Sequence, residues 1–152
     1  MYLYDSSAYE RLRSIGYLLN RLRSEILAAV DGELAADERL AYLRLSSAQS
    51  VIMTSLALGG GTSAADLCKA MSYDTGAMTR IIDRLESKGL IRRNRCCQDR
   101  RRVTLELTEE GVAVLPRIRE ISTRVMSRFL RSFTDSEARQ LEMFLSRVLA
   151  SA

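Results

Sequence analysis

From Asp74 to Leu107 the hydrophobic period switches from helical spacing to strict alternation, and few folds accommodate that switch in so short a span. Asp74 is placed to cap a helix, because its carboxylate can accept from the orphan amides of the first turn. Met78, Ile81, Ile82 and Leu85 then share one face, leaving Thr75, Gly76, Ala77, Thr79, Arg80 and Arg84 on the other. Lys88-Gly89 closes the helix with a cation in its last turn and a residue free to turn left-handed. Stretches 90–95 and 103–107 read as strands; in the second, Val103, Leu105 and Leu107 alternate with Thr104 and Glu106. The turn between them holds Cys96, Cys97, Gln98, Asp99 and Arg100. Upstream, Thr62 is expected to cap a helix over 63–71, with Ser72-Tyr73 as the turn into the next. The pattern is helix, turn, helix and hairpin: a winged helix-turn-helix.

The rest of the chain reads as support for this head. Leu12, Ile15, Leu19, Leu22 and Ile26 recur at steps of three and four, like a coiled-coil seam, in a helix from about residue 7 to 30. Beyond Val30 two courses are open: the helix runs further, or Asp31-Gly32 breaks it and a short helical piece follows over 33–43. Ser46 is expected to cap a helix over 47–58, with Val51, Ile52 and Leu56 inward, stopped by three glycines at 59–61. After the hairpin, Val112, Leu115, Ile118, Ile121, Val125 and Phe129 stripe another long helix. Pro116 falls inside it and predicts a kink or a delayed start. Thr134 to Glu137 forms a capping box for a last helix carrying Leu141, Phe144, Leu145 and Val148. The fold class expected is mainly α with a small β-wing, a winged helix-turn-helix with N- and C-terminal dimerisation helices. It divides into 1–45, 46–111 and 112–152 within one integrated domain. The end helices carry more apolar surface than the middle can cover, so a homodimer is expected; the competing arrangement is a closed monomeric bundle.

Charge is concentrated on the same head. Residues 80–102 hold nine Arg or Lys and three Asp or Glu, a net of +6, whereas the whole chain is +4, so the remainder is −2. Arginines outnumber lysines 21 to 2, which suits bidentate contacts to phosphate and guanine. A solvated, salt-bridged surface is the bland alternative, but here the positive cluster coincides with a nucleic-acid-binding topology. With no histidine and three cysteines in no zinc-ligand spacing, neither an enzyme nor a metal site is expected, and no cofactor is called for. No apolar run is long enough to span a bilayer and none resembles a signal peptide, so the expectation is a cytoplasmic protein with no membrane partner.

The segments SYDTGAMTRIIDRLESKGLI and QDRRRVTLELTEEG resemble the recognition helix and wing of the MarR/SlyA family of bacterial transcription regulators. The similarity runs almost end to end, although the stretch 32–42 is longer than the family's usual linker. The resemblance implies a dimeric regulator, in the main a repressor, that binds pseudo-palindromic double-stranded DNA and is released by a small aromatic acid or phenolic effector.

Roles follow for particular residues. Thr75, Gly76, Ala77 and Thr79 are small enough for close approach to the major groove, with Arg80 reaching a guanine edge or a phosphate and Arg84 a phosphate. Thr62 and Ser72 are candidate phosphate donors. In the wing, Arg101 is expected to enter the flanking minor groove, with Asp99 holding Arg100 or Arg101 in place. Arg92, Arg93, Arg95 and Arg102 are expected to supply phosphate affinity. Tyr17, Arg21, Tyr42 and Met53 are candidates for lining an effector cleft. Two other functions stay open. Cys96 and Cys97 lie among arginines that favour thiolate and could serve a redox sensor. A winged helix can also be a protein-interaction module.

Overall fold

The computed structural model describes residues 6–59, 63–95 and 103–151. The order is α1 (Ser6–Ala36), a 3-10 turn at Ala41–Leu43, α2 (Ser47–Gly59), α3 (Ala64–Met71), α4 (Thr75–Ser87), β1 (Ile91–Arg95), β2 (Val103–Leu107), α5 (Glu109–Phe129) and α6 (Asp135–Ala150). The two strands pair antiparallel, with Ile91 opposite Leu107 and Arg95 opposite Val103. The fold is mainly helical with a small β-wing, as expected. One apolar core joins the elements: Leu34 from α1, Ile52 and Met53 from α2, Leu67 from α3, Ile82 and Leu85 from α4, Leu105 from β2, and Ile118 and Ile121 from α5.

Caps fix most boundaries. Asp74 accepts from the Ala77 amide at 2.9 Å, as its sequence position requires. Ser46 accepts from Gln49 N at 3.3 Å while the Gln49 side chain accepts from Ser46 N at 3.2 Å, a reciprocal pair that opens α2. Thr134 and Glu137 make the expected capping box. The cap of α3, however, is Ser63, whose hydroxyl and backbone amide exchange hydrogen bonds with Asp66. The expected cap, Thr62, lies outside the described residues.

Several expectations are decided or corrected. α1 does not break at Asp31-Gly32 but continues to Ala36. Glycine costs a helix about 1 kcal/mol. Here Val30 and Leu34, one turn apart, are both buried and outweigh that cost. Asp31 instead serves the neighbouring helix, since its Oδ1 accepts from Ser47 N at 2.6 Å and so places an anion at the start of α2. The helical piece foreseen over 33–43 reduces to the last turn of α1 and the 3-10 turn. α5 starts at Glu109, well before Pro116, so there is no delayed start, and Pro116 sits on the exposed side of the helix. Val51 and Val112, both expected inward, are exposed. In α6 no residue is buried; Phe144 is 52% exposed and Val148 59%.

Candidate nucleic-acid interface

The core fixes which way α4 faces. Met78, Ile82 and Leu85 are buried, so the opposite face must meet solvent. Thr75, Gly76, Thr79, Arg80 and Arg84 are exposed and Ala77 half-buried, a surface with no large apolar group. Thr79 donates its hydroxyl to Thr75 O at 2.8 Å, so its oxygen has only acceptor capacity left to offer a partner. Gly76 has a structural duty besides its smallness: a Cβ there would stand 3.2 Å from Asp74 Oδ1, crowding the cap. Arg80 and Arg84 pair with no carboxylate among the described residues and keep their charge for a partner.

The turn before α4 is held tightly. Ser72 is left-handed, with φ 53, and its amide donates to Cys68 O, so it reverses the chain between α3 and α4 while staying exposed. Tyr73 packs on the core behind it. A shallow depression of about 470 Å³ lies beside this turn, lined by Ala64, Ala65, Cys68, Lys69, Tyr73 and Thr75.

Not every arginine of the basic cluster is available to a phosphate. Arg93, expected to bind DNA, reaches back from β1 to Asp83 and Glu86 of α4. These carboxylates raise its already high pKa, the Asp83 hydrogen bond most of all. The result is a brace between the wing and α4. Arg92 pairs across the hairpin with Glu106 at 3.1 Å. The readable signal was the spacing of Asp83 and Glu86, two acids one turn apart inside a basic patch. A second brace comes from Lys88, whose ammonium donates to Arg44 O at 2.7 Å and to Gln49 Oε1 at 2.9 Å. Burial, and then Arg84 nearby, lower the Lys88 pKa.

The other candidates are dispersed. Arg95 ends β1, while Cys96, Cys97, Asp99, Arg100, Arg101 and Arg102 lie outside the described residues. Tyr17 and Arg21 stand one turn apart on the exposed half of α1, Arg21 facing Glu25 at 3.9 Å. Tyr42 is 74% exposed in the 3-10 turn, whereas Met53 is fully buried in α2. None of these four lines the large apolar groove, about 670 Å³, that runs between α1, α5 and α6 past Leu22, Ile26, Phe129, Phe133, Leu145 and Leu149. Among the described residues no helix is long and apolar enough to cross a membrane.

The family model described as MarR family matches residues 45–103, the span from the end of the 3-10 turn to the second strand. The chain is 31% identical over 114 residues to the multiple antibiotic resistance protein MarR of Escherichia coli, covering 74% of this chain and 79% of that one. It is 32% identical over 122 residues to the transcriptional repressor NicR of Pseudomonas putida, covering 78% and 73%. Among solved structures, a MarR variant from Escherichia coli in complex with operator DNA superposes with a TM-score of 0.78 at 25% identity, covering 93% of this chain and 97% of that one.

Proposed function

The chain belongs to the MarR family of DNA-binding transcriptional regulators, and from that premise we propose that it is a repressor acting as a homodimer on a pseudo-palindromic operator. The observation that carries the proposal is the outward face of α4, small at its N-terminal end and followed by Arg80 and Arg84, which pair with no carboxylate among the described residues. The first turns of α4 enter the major groove, where Thr79 and Arg80 meet base edges and Arg84 a phosphate. Ser72 contributes a phosphate contact from the preceding turn. Arg101, with Arg95, Arg100 and Arg102 around it and Asp99 holding its orientation, reaches the flanking minor groove. Support for the DNA partner comes from the relative crystallised on its operator.

Release by a small aromatic or phenolic effector belongs to the same proposal. Such a ligand acts only if it binds one spacing of the two heads better than another.

The test is a duplex selected by the protein itself from a randomised pool, titrated at fixed salt beside a scrambled control. A preference of at least about a thousand-fold for the selected duplex is expected. Arg80→Ala and Arg101→Ala should each cost about 1–3 kcal/mol on that duplex. Equal affinity for both duplexes would end the reading of a sequence-specific repressor.

A further inference from the structure

Lys88 is one of two lysines in a chain with 21 arginines, and its ammonium is held between two neutral oxygens. It caps the C-terminal end of α4, next to Gly89 at φ +70, where the chain turns into β1. Its ammonium meets two acceptors distant in sequence, Arg44 O at 2.7 Å and Gln49 Oε1 at 2.9 Å. An ammonium is a compact charge whose three donors can converge on neighbouring oxygens; a guanidinium spreads its donors over a rigid plane.

Both acceptors are themselves held. Arg44 is left-handed, with φ 46, and closes the 3-10 turn between α1 and α2. Gln49 is 3% exposed, and its Oε1 also accepts from Ser46 N at 3.2 Å. The ammonium therefore joins the end of the recognition helix to the single point where the chain leaves α1 for the head. Both acceptors are neutral, and among the described residues no carboxylate pairs with the ammonium, so the charge gives up water without a counter-ion there. Such a contact contributes little stability and much geometry.

Resting on the DNA-binding reading above, we propose that Lys88 is a positioning residue for operator recognition. By pinning the end of α4 to Arg44 and Gln49 it sets the tilt of the recognition helix relative to α1, and hence the fit of two heads to one operator. It touches neither base nor phosphate in this role.

The experiment compares the full-length protein with Lys88→Met, Lys88→Arg, Gln49→Met and Gln49→Glu. Each is titrated against the duplex selected by the wild type and against a scrambled duplex, over a range of salt. Lys88→Met, Lys88→Arg and Gln49→Met should each lose about ten-fold or more on the selected duplex, with less than two-fold change on the scrambled one and an unchanged salt slope. Gln49→Glu keeps an oxygen at the same place and should retain the wild-type preference. Lys88→Met combined with Gln49→Met should be no worse than either alone. Equal losses on both duplexes with a salt slope shallower by about one would make Lys88 a phosphate contact and overturn the proposal. So would unchanged discrimination in Lys88→Met. If Lys88→Met fails to fold, the Gln49 pair decides: equal behaviour of Gln49→Met and Gln49→Glu overturns it. A wild type without preference for any duplex would instead defeat the DNA-binding reading itself.

Discussion

Asp37 brings a carboxylate into a nearly closed corner just beyond the end of α1. Its Oδ1 accepts from Arg39 N at 3.0 Å, and its Oδ2 accepts from Arg117 Nε at 2.7 Å and Nη2 at 2.6 Å. The Arg117 hydrogen bond, more than anything else, holds the Asp37 carboxyl below its ordinary value, against the opposing effect of burial. A carboxylate depressed in the folded state stabilises above its unfolded pKa, about 3.9, and that contribution is lost as pH falls through the folded value. Asp37→Asn should therefore flatten the acid limb of a stability curve measured by urea unfolding between about pH 5 and pH 2. Part of the slope must survive, since Glu137 is also depressed, by the Thr134 amide that it accepts. Identical slopes in the two proteins would show that Asp37 does not link α1 to α5 through its charge. Neither Asp37 nor Arg117 stands out in the sequence, because 80 residues separate them and no local period relates the two.

At the scale of elements, two glycines in helices make opposite demands. Gly111 lies in the first turn of α5, where a Cβ would come within 2.0 Å of Leu90 O. That carbonyl is fixed by Thr108 N at 3.0 Å, and Thr108 Oγ1 donates to Gly89 O at 2.6 Å. The start of α5 is thus moored to the exit of α4. Gly32 lies in α1 with nothing within 4 Å of its would-be Cβ. Gly111→Ala should destabilise by about 3 kcal/mol or more, whereas Gly32→Ala should stabilise by about 1 kcal/mol; thermal unfolding of both decides. A uniform sign would mean that the packing around α5 gives way. The same contrast shows what the sequence made legible. Asp74, Ser46 and Thr134 were readable as caps because a cap is satisfied within three or four residues of itself. The winged helix-turn-helix was readable because period and turn chemistry are local. The continuity of α1 through Asp31-Gly32 was not, because Leu34 decides it by packing against distant elements. The pairing of Arg93 with Asp83 and Glu86 was half legible: two acids one turn apart in a basic patch mark the seat of a cation, but composition does not say which arginine takes it.

For the whole molecule the governing feature is apolar surface left without cover. α6 buries nothing, and Ile15, Leu18, Leu19 and Leu22 of α1 stand open, Leu22 in the lining of the groove between α1, α5 and α6. Covering a side chain such as Phe144 or Val148 is worth about 1.5–3 kcal/mol each, so several together exceed what a lone α6 could forgo. A second copy related by a two-fold axis, as proposed above, would satisfy both end helices at once, since each copy would present the same stripe. Such pairing would also tie two copies of α4 together, and the second head would then bind at an effective concentration set by the first. Phe144→Asp with Val148→Asp should turn a dimer into a monomer in sedimentation at micromolar concentration. Affinity for a two-half-site duplex should fall by about a hundred-fold or more, while affinity for a single half-site stays within about three-fold. The half-site comparison separates loss of pairing from loss of fold, because an unfolded head would bind neither. A double variant that remains dimeric would move the interface away from α6 and leave its stripe to another partner.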